Sequence, residues 1–515
     1  MHPKTKPHVA VVGAGIGGLT AAVELAGHGC RVTLLERHTS VGGKVRQVSI
    51  HGRRIDVGPT VLTMKWVFDK IFGDVGRRFE DEVELIAADR VADHFWDDGS
   101  RLTLYTDPDR SASAIASFAG GREADAYLAF SDYAKRIYDN AYRTFMTSPD
   151  PGISHMARHA GLRALPAVLR IDAFRTMSAA INRFFEDERL RQLFARYATY
   201  LGASPYSAPA TLNLIAHVEQ QGVFLPVSGM ASLASALERT AAARGCDIRL
   251  GAGVREIRTQ RGRVIGVTLE DGAPLDADAV VFNGDVSALG MGLLGGGVRR
   301  GAAKTSPGKR SLSALVGAAL VAAKGFPLSS HNVFFQRAPY RKEFTDIFDK
   351  GRLPASPTIY LRAQDRDNTD APSDKERLFF IINAPPVGDV NPLTDEEIDR
   401  CLLSATRALH RAGLPISIDR ASARVFSPND FATRFPGTGG ALYGRATHSM
   451  TASIRRSGVR SGIANLYLTG GSVHPGAGVP MAALGGWLLA STLLSDFGLT
   501  GPSPLMDTAG STSTG

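Results

Sequence analysis

Residues 9–12 read VAVV, four apolar positions with no polar break. A strand with one wet face would alternate. A short unbroken run marks a strand covered on both faces, as in a parallel sheet. GAGIGG comes next, then LTAAVELAGHG with apolar positions at helical period, then RVTLLER as a second strand. Together they make a β-α-β unit of about 30 residues. Residues 71–225 are mostly helical in pattern, as in FAGGREADAYLAFSDYAKRIYDNAYRTF, where apolar residues follow the helical repeat. Residues 226–295 return to strands. CDIRLGAGVREIRTQRGRVIGVTLEDG reads as strand, loop, strand, hairpin, strand, and DADAVVFNGD ends on another buried run. Residues 310–445 alternate strands and helices, among them TIYLRAQ and LFFIINAPP. IANLYL, residues 463–468, is a last buried strand, and it runs into TGGSVHPGAGVPMAALGG, a glycine-dense turn that opens a helix. No internal repeat is visible. The tail DTAGSTSTG is small and polar, and disorder is expected there.

The chain has 515 residues, 44% of them hydrophobic, enough for a large core in roughly two or three lobes. Cys30, Cys246 and Cys401 are scattered, so no disulfide framework and no metal site is expected. A reducing compartment is the simplest reading. The basic opening MHPKTKPH precedes too short an apolar run for a signal peptide, and no stretch is long enough to span a bilayer. A net charge of +9 allows an anionic partner, lipid or nucleic acid. The basic residues are dispersed and no nucleic-acid motif is present, so no nucleic-acid partner is expected.

Gly13, Gly15 and Gly18 form GxGxxG between the first strand and the first helix. The first glycine permits the tight turn, the second lets backbone approach a pyrophosphate, and the third lets helix and strand pack closely. Glu36 ends the next strand, where its carboxylate can hold an adenosine ribose. Strand before, helix after and acid downstream are the context that makes this motif specific for a dinucleotide. A second glycine pair with a lysine follows, Gly42, Gly43 and Lys44, and then Asp56, Val57, Gly58 and Pro59.

Glu36 and Arg37 followed by GGK, then D-x-GP, resemble the flavin amine oxidase and phytoene desaturase superfamily. The resemblance implies FAD, with Gly43 and Lys44 along its pyrophosphate and Gly58 and Pro59 bordering the flavin. It implies that the C-terminal glycine segment returns to close the flavin site. Gly470 and Gly471 would approach the phosphates, and a helix starting at Val479, Pro480 and Met481 would point at the ring. A helix N-terminus suits negative charge developing there. Val254, in LGAGVREI, would contact the adenosine side through backbone. The fold class expected is α/β: a discontinuous Rossmann-like FAD-binding domain (8–70, 226–295 and 460–497), with a mixed-sheet substrate domain (296–459). A mostly helical, membrane-facing subdomain (71–225) and a tail (498–515) complete it.

The segments IDVGPTVLT, FLPVSGMASLASAL, FSPNDFATRFPGTGGALYG and HPGAGVP are similar to the bacterial carotenoid desaturases, over residues 8–495. VGPTVLTMKWVFDKIF, HFWDDGSRLTLYTDPDRSASAI and FAGGREADAY look most like the hydroxyneurosporene (methoxyneurosporene) desaturase branch. That branch implies 3,4-desaturation of a 1-hydroxycarotenoid. TGGSVHPG departs from relatives at its serine and valine. A polyene stabilises the cation left by hydride loss, so no strong base is required and no catalytic residue is assigned; Asp56, His217 and His474 are the conceivable ones. The partners expected are a carotenoid, an anionic membrane surface and an unidentified electron acceptor. Localisation is expected to be cytoplasmic, peripheral to the inner membrane. The segment 155–185 carries five arginines against one aspartate among Leu, Val, Ile, Phe and Met, the composition of a helix lying in an anionic interface; Arg163 and Arg170 are its candidate contacts. Competing readings are a multi-step phytoene desaturase, an amine or protoporphyrinogen-type oxidase, and a flavin-free lipid binder like the Rab GDP-dissociation inhibitors.

Overall fold

The computed structural model describes residues 6–150, 170–323, 325–367, 375–449, 452 and 455–504. Residues 155–169 of the expected interfacial segment, including Arg163, and the end of the tail lie outside the described residues, while Arg170 is exposed. A five-stranded parallel sheet forms the first layer. Its strands are β1 (His8–Val12), β2 (Arg31–Glu36), β3 (Asp247–Leu250), β4 (Ala279–Phe282) and β5 (Leu466–Leu468), in the order β5-β4-β1-β2-β3. The pairing of Val9 with Ala279 and Val32, and of Val280 with Leu466, puts the first and last of these strands, near opposite ends of the sequence, into one sheet. Runs such as AVVF are buried at every position, which a parallel sheet covered on both faces demands.

Helix α1 (Ile16–Gly27) crosses β1 to β2 and packs on α2 (Val479–Asp496), the helix that follows β5. The two backbones come close: a Cβ at Gly486 would lie 2.4 Å from the Gly17 carbonyl oxygen. The parallel-sheet layer is therefore closed by segments from near both ends of the sequence.

The second layer is a seven-stranded mixed sheet running Ala423–Phe426, Ser313–Val321, Glu376–Ala384, Ile359–Ala363, His331–Phe335, Arg90–Trp96, Arg101–Tyr105. Its one parallel pairing sets His331–Phe335 beside Arg90–Trp96. Residues 71–225, mostly helical in pattern, thus also contribute two strands to the substrate-side sheet. The helices Pro108–Ala119, Gly121–Ala141, Glu188–Ala195 and Leu214–Gln220 cover an aromatic-rich core around Phe130, Phe185 and Phe194. Among the described residues no helix is long and apolar enough to cross a membrane.

One buried carboxyl on α1 makes the stability of this layer depend on pH. Glu24 on α1 is fully buried, its carboxylate oxygens lack hydrogen-bond partners, and Asp74 is near. Burial, with the Asp74 charge adding to it, pushes the carboxyl up from 4.5 to about 9. Between those values the unfolded chain releases a proton that the folded chain retains, so stability falls as pH rises. Glu24→Gln is expected to remove that slope. In urea melts the variant gains about 1–3 kcal/mol over wild type at pH 8 and gains nothing at pH 5.

Candidate functional site

A cavity of about 1200 Å³ opens at the carboxyl ends of β1, β2 and β4, where Val12, Glu36 and Phe282 line it. This is the edge at which open parallel sheets bind ligands. The β1–α1 turn is built on conformation. Gly13 has φ +101°, which side chains avoid, and its N–H donates to the Leu35 carbonyl at 2.8 Å. Gly18 faces back into the turn, where a Cβ would lie 2.1 Å from the Gly13 carbonyl oxygen. Gly13 and Gly15 line the cavity and Gly18 does not, which separates approach to a ligand from helix–strand packing.

Glu36 is buried and holds the turn together. One oxygen accepts from the Ala14 N–H at 2.8 Å and the other from the His38 N–H at 2.9 Å. Gly42 and Gly43 press on the same turn, with the Gly42 N–H donating to the Ala14 carbonyl and a Cβ at Gly43 only 3.3 Å from the Gly15 Cα. Lys44 donates to the Leu442 carbonyl. Lys44 and Asp285 both line the cavity and are half-buried. Burial accordingly lowers the lysine's pKa and raises the aspartate's, and each partly offsets the other's shift. Arg456 donates to the Gly471 carbonyl at 3.0 Å, and burial pushes its pKa down to about 10, which leaves it charged at neutral pH.

The remaining predicted positions converge on the same space. Gly43, Lys44, Gly58, Pro59, Val254, Gly470, Gly471, Val479, Pro480 and Met481 all line the cavity. Helix α2 directs its N-terminus there, after Gly478 at φ +112° and with a proline in its first turn. Unpaired N–H groups and the helix dipole make that end favourable for negative charge.

The three side chains considered for catalysis do not reach this space. His474 is fully buried, its Nε2 is 2.9 Å from the Phe145 carbonyl, and its ring meets Phe145 edge-on at 4.6 Å. Burial pushes its pKa down to about 4, so it is a neutral packing residue. His217 lies against Tyr138. Asp56 is buried and accepts from the Met230 N–H at 2.8 Å, fixing the start of a helix. None of the three lines the cavity.

Sequence reasoning passed over Asn283, whose amide donates to the Gly13 carbonyl at 3.0 Å and lies 2.8 Å from where a Gly470 Cβ would stand. The signal was present: Asn283, Gly284 and Asp285 break a fully apolar strand at its carboxyl end. It also passed over Arg196, Tyr200 and Glu219, which no short motif connects.

Beyond Thr60 the wall turns apolar. Leu201, Leu212, Ile215 and Val218 come from the helical layer, and Ala314, Val316, Phe379 and Ile381 from one face of the mixed sheet. Ligand pockets usually hold roughly 300–1,000 Å³, so this cavity has room for more than one small ligand. Its two parts differ in chemistry: a polar, glycine-lined cradle and a greasy chamber.

The family model for flavin containing amine oxidoreductase matches residues 16–494. The hydroxyneurosporene desaturase of Rubrivivax gelatinosus is 44% identical over 514 residues, covering 99% of this chain and 98% of the relative. That of Cereibacter sphaeroides is 42% identical over 492 residues, covering 95% and 98%. Among solved structures, an oxidoreductase from Methanosarcina mazei superposes with a TM-score of 0.59 at 17% identity, covering 95% of this chain and 100% of that one, a likeness of fold.

Proposed function

Since the chain belongs to the flavin-containing amine oxidoreductases, and within them to the family of the hydroxyneurosporene desaturases, we propose that it desaturates a membrane-dissolved carotenoid, placing a 3,4 double bond in a 1-hydroxycarotenoid. FAD is the cofactor of this family. The cradle fits it. Glycines at φ +101° and +104° (Gly13, Gly470) leave backbone open where a side chain would intrude, and Glu36 closes the ribose end. In this reading Gly13, Gly15, Gly43, Gly470 and Gly471 lie along the pyrophosphate, with Lys44 beside it. Gly18 keeps the helix close, and Val254 meets the adenine side. Gly58, Pro59, Val479, Pro480 and Met481 surround the ring.

Bound FAD supplies an acceptor for the hydride that leaves the substrate. The chain's own task is to hold and orient. The apolar walls fix the polyene and exclude water, which is where proximity contributes to rate. Conjugation spreads the positive charge left on the substrate, so its proton is lost without a strong base.

The observation that carries this reading is the continuity of the glycine cradle with the apolar chamber. Access from a membrane surface is part of the proposal, at the cytoplasmic face of the inner membrane. It is supported by Ile171 and Ala173, which line the cavity beside Phe174, a phenylalanine 72% exposed. The net charge of +9 suits anionic lipid. The test uses FAD-loaded protein on liposomes with 1-hydroxyneurosporene in one sample and phytoene in another. A red shift with the hydroxylated pigment only is expected. Colour arising from phytoene would replace this reading with a multi-step phytoene desaturase.

A further inference from the structure

A hydrocarbon chamber needs no charges, and burying an ion carries a large desolvation penalty unless it is paired and used. Three polar side chains nevertheless stand in the apolar part of the cavity wall. Arg196 opens the short helix Arg196–Leu201, Tyr200 lies one turn on, and Glu219 comes from Leu214–Gln220. Arg196 is 6% exposed and Glu219 3%. Leu201, Leu212, Ile215 and Val218 flank them on the wall.

The cluster is internally linked but not saturated. Tyr200 accepts from Arg196 Nη1 at 3.3 Å and donates to Glu219 Oε1 at 2.6 Å, so one hydroxyl joins the two charges. Tyr197 donates to the other carboxylate oxygen at 2.6 Å. A guanidinium carries five N–H donors and a carboxylate accepts at about four positions. Among the described residues Arg196 makes that one hydrogen bond, which leaves Nη donors without a protein partner. Spare donors of the guanidinium and spare acceptor positions of the carboxylate are thus joined through a single tyrosine hydroxyl, and a second hydroxyl group has the donor and the acceptor to pair with both.

Three further polar side chains on the cavity wall, Tyr360, Thr358 and Asn383, are engaged elsewhere. Tyr360 donates to Thr60 at 2.7 Å and lies 2.6 Å from His331 Nδ1. Thr358 and Asn383 both donate to buried Glu343, at 2.7 and 2.8 Å.

We infer that Arg196, Tyr200 and Glu219 form a subsite that reads the hydroxyl at the end of the carotenoid chain, the guanidinium donating to its oxygen and the carboxylate accepting its proton. The inference rests on the proposed function and names the residues that give that site its substrate preference. Anchoring the oxygen sets which carbons of the chain lie against the flavin, so the subsite selects both substrate and bond. A site built to hydrogen-bond a hydroxyl discriminates strongly against an analogue lacking it, because its buried groups are then left unpaired.

The test compares a 1-hydroxycarotenoid with the non-hydroxylated carotenoid of the same conjugation length, in wild type, Tyr200→Phe and Glu219→Gln, at equal flavin content. Binding is read by quenching of protein fluorescence, which needs no turnover, and kcat/KM is read beside it. Wild type is expected to prefer the hydroxylated pigment by about 100-fold or more, and each variant to cut that ratio at least about tenfold by weakening the hydroxylated partner alone. A wild type with no binding preference, variants that keep the ratio, or variants that weaken both pigments in parallel would each overturn the subsite. Because binding is read without turnover, a protein that prefers the hydroxylated pigment but leaves its spectrum unchanged would count against the proposed reaction and not against the subsite.

Discussion

Gly18→Ala is expected to yield a protein that purifies with less than about a tenth of the wild-type flavin, a loss of at least about 1.4 kcal/mol in cofactor binding. The added methyl would lie 2.1 Å from the Gly13 carbonyl oxygen and 2.8 Å from the Asn283 amide nitrogen. Neither can simply turn away. The Gly13 oxygen is backbone and accepts from Asn283, and the Gly13 N–H is tied to Leu35. Relief requires α1 to move off the sheet, which carries with it the turn that would meet the pyrophosphate. Overpacking of this kind costs about 1–3 kcal/mol in stability as well. Gly73→Ala is the control: its Cβ would have no neighbour within 4 Å, and the flavin content should stay at the wild-type value. Full flavin content in Gly18→Ala would mean that the turn is more yielding than its contacts imply.

Glu36→Ala is expected to weaken FAD binding by about 100-fold, measured by flavin fluorescence on titration of the apoprotein. Two effects act together. The carboxylate facing the cavity is lost, and so are the acceptors for the Ala14 and His38 N–H groups, which shape the turn. An orphaned buried donor costs about 1–3 kcal/mol. Glu36→Gln keeps one acceptor oxygen and should fall between, at about tenfold. A neutral effect of both substitutions would remove Glu36 from the cofactor site.

The dinucleotide half of the site was legible because its information is local. VAVV, the three glycines and Glu36 lie on consecutive elements, and each glycine answers a backbone requirement that the positive φ of Gly13 and the closeness of Gly18 display. The return of the C-terminal glycine segment was not legible in that local way; the resemblance to the superfamily implied it. The rest depends on contacts across the chain. The strands Arg90–Trp96 and Arg101–Tyr105 join a sheet through His331–Phe335, more than 200 residues on, and nothing near them announces that partner. His474 looked chemical because it is a lone imidazole among glycines; that Phe145 seals it is a tertiary fact. Arg196 and Glu219 belong to separate elements, and only packing makes them neighbours across Tyr200.

The glycine cradle and the apolar chamber are expected to work as one reaction site. An anaerobic single-turnover experiment tests it most directly, mixing FAD-loaded protein with 1-hydroxyneurosporene and following flavin and polyene absorbance together. The flavin band should bleach in step with the red shift of the pigment, one flavin per new double bond. A red shift without bleaching, or bleaching with the polyene spectrum unchanged, would contradict it.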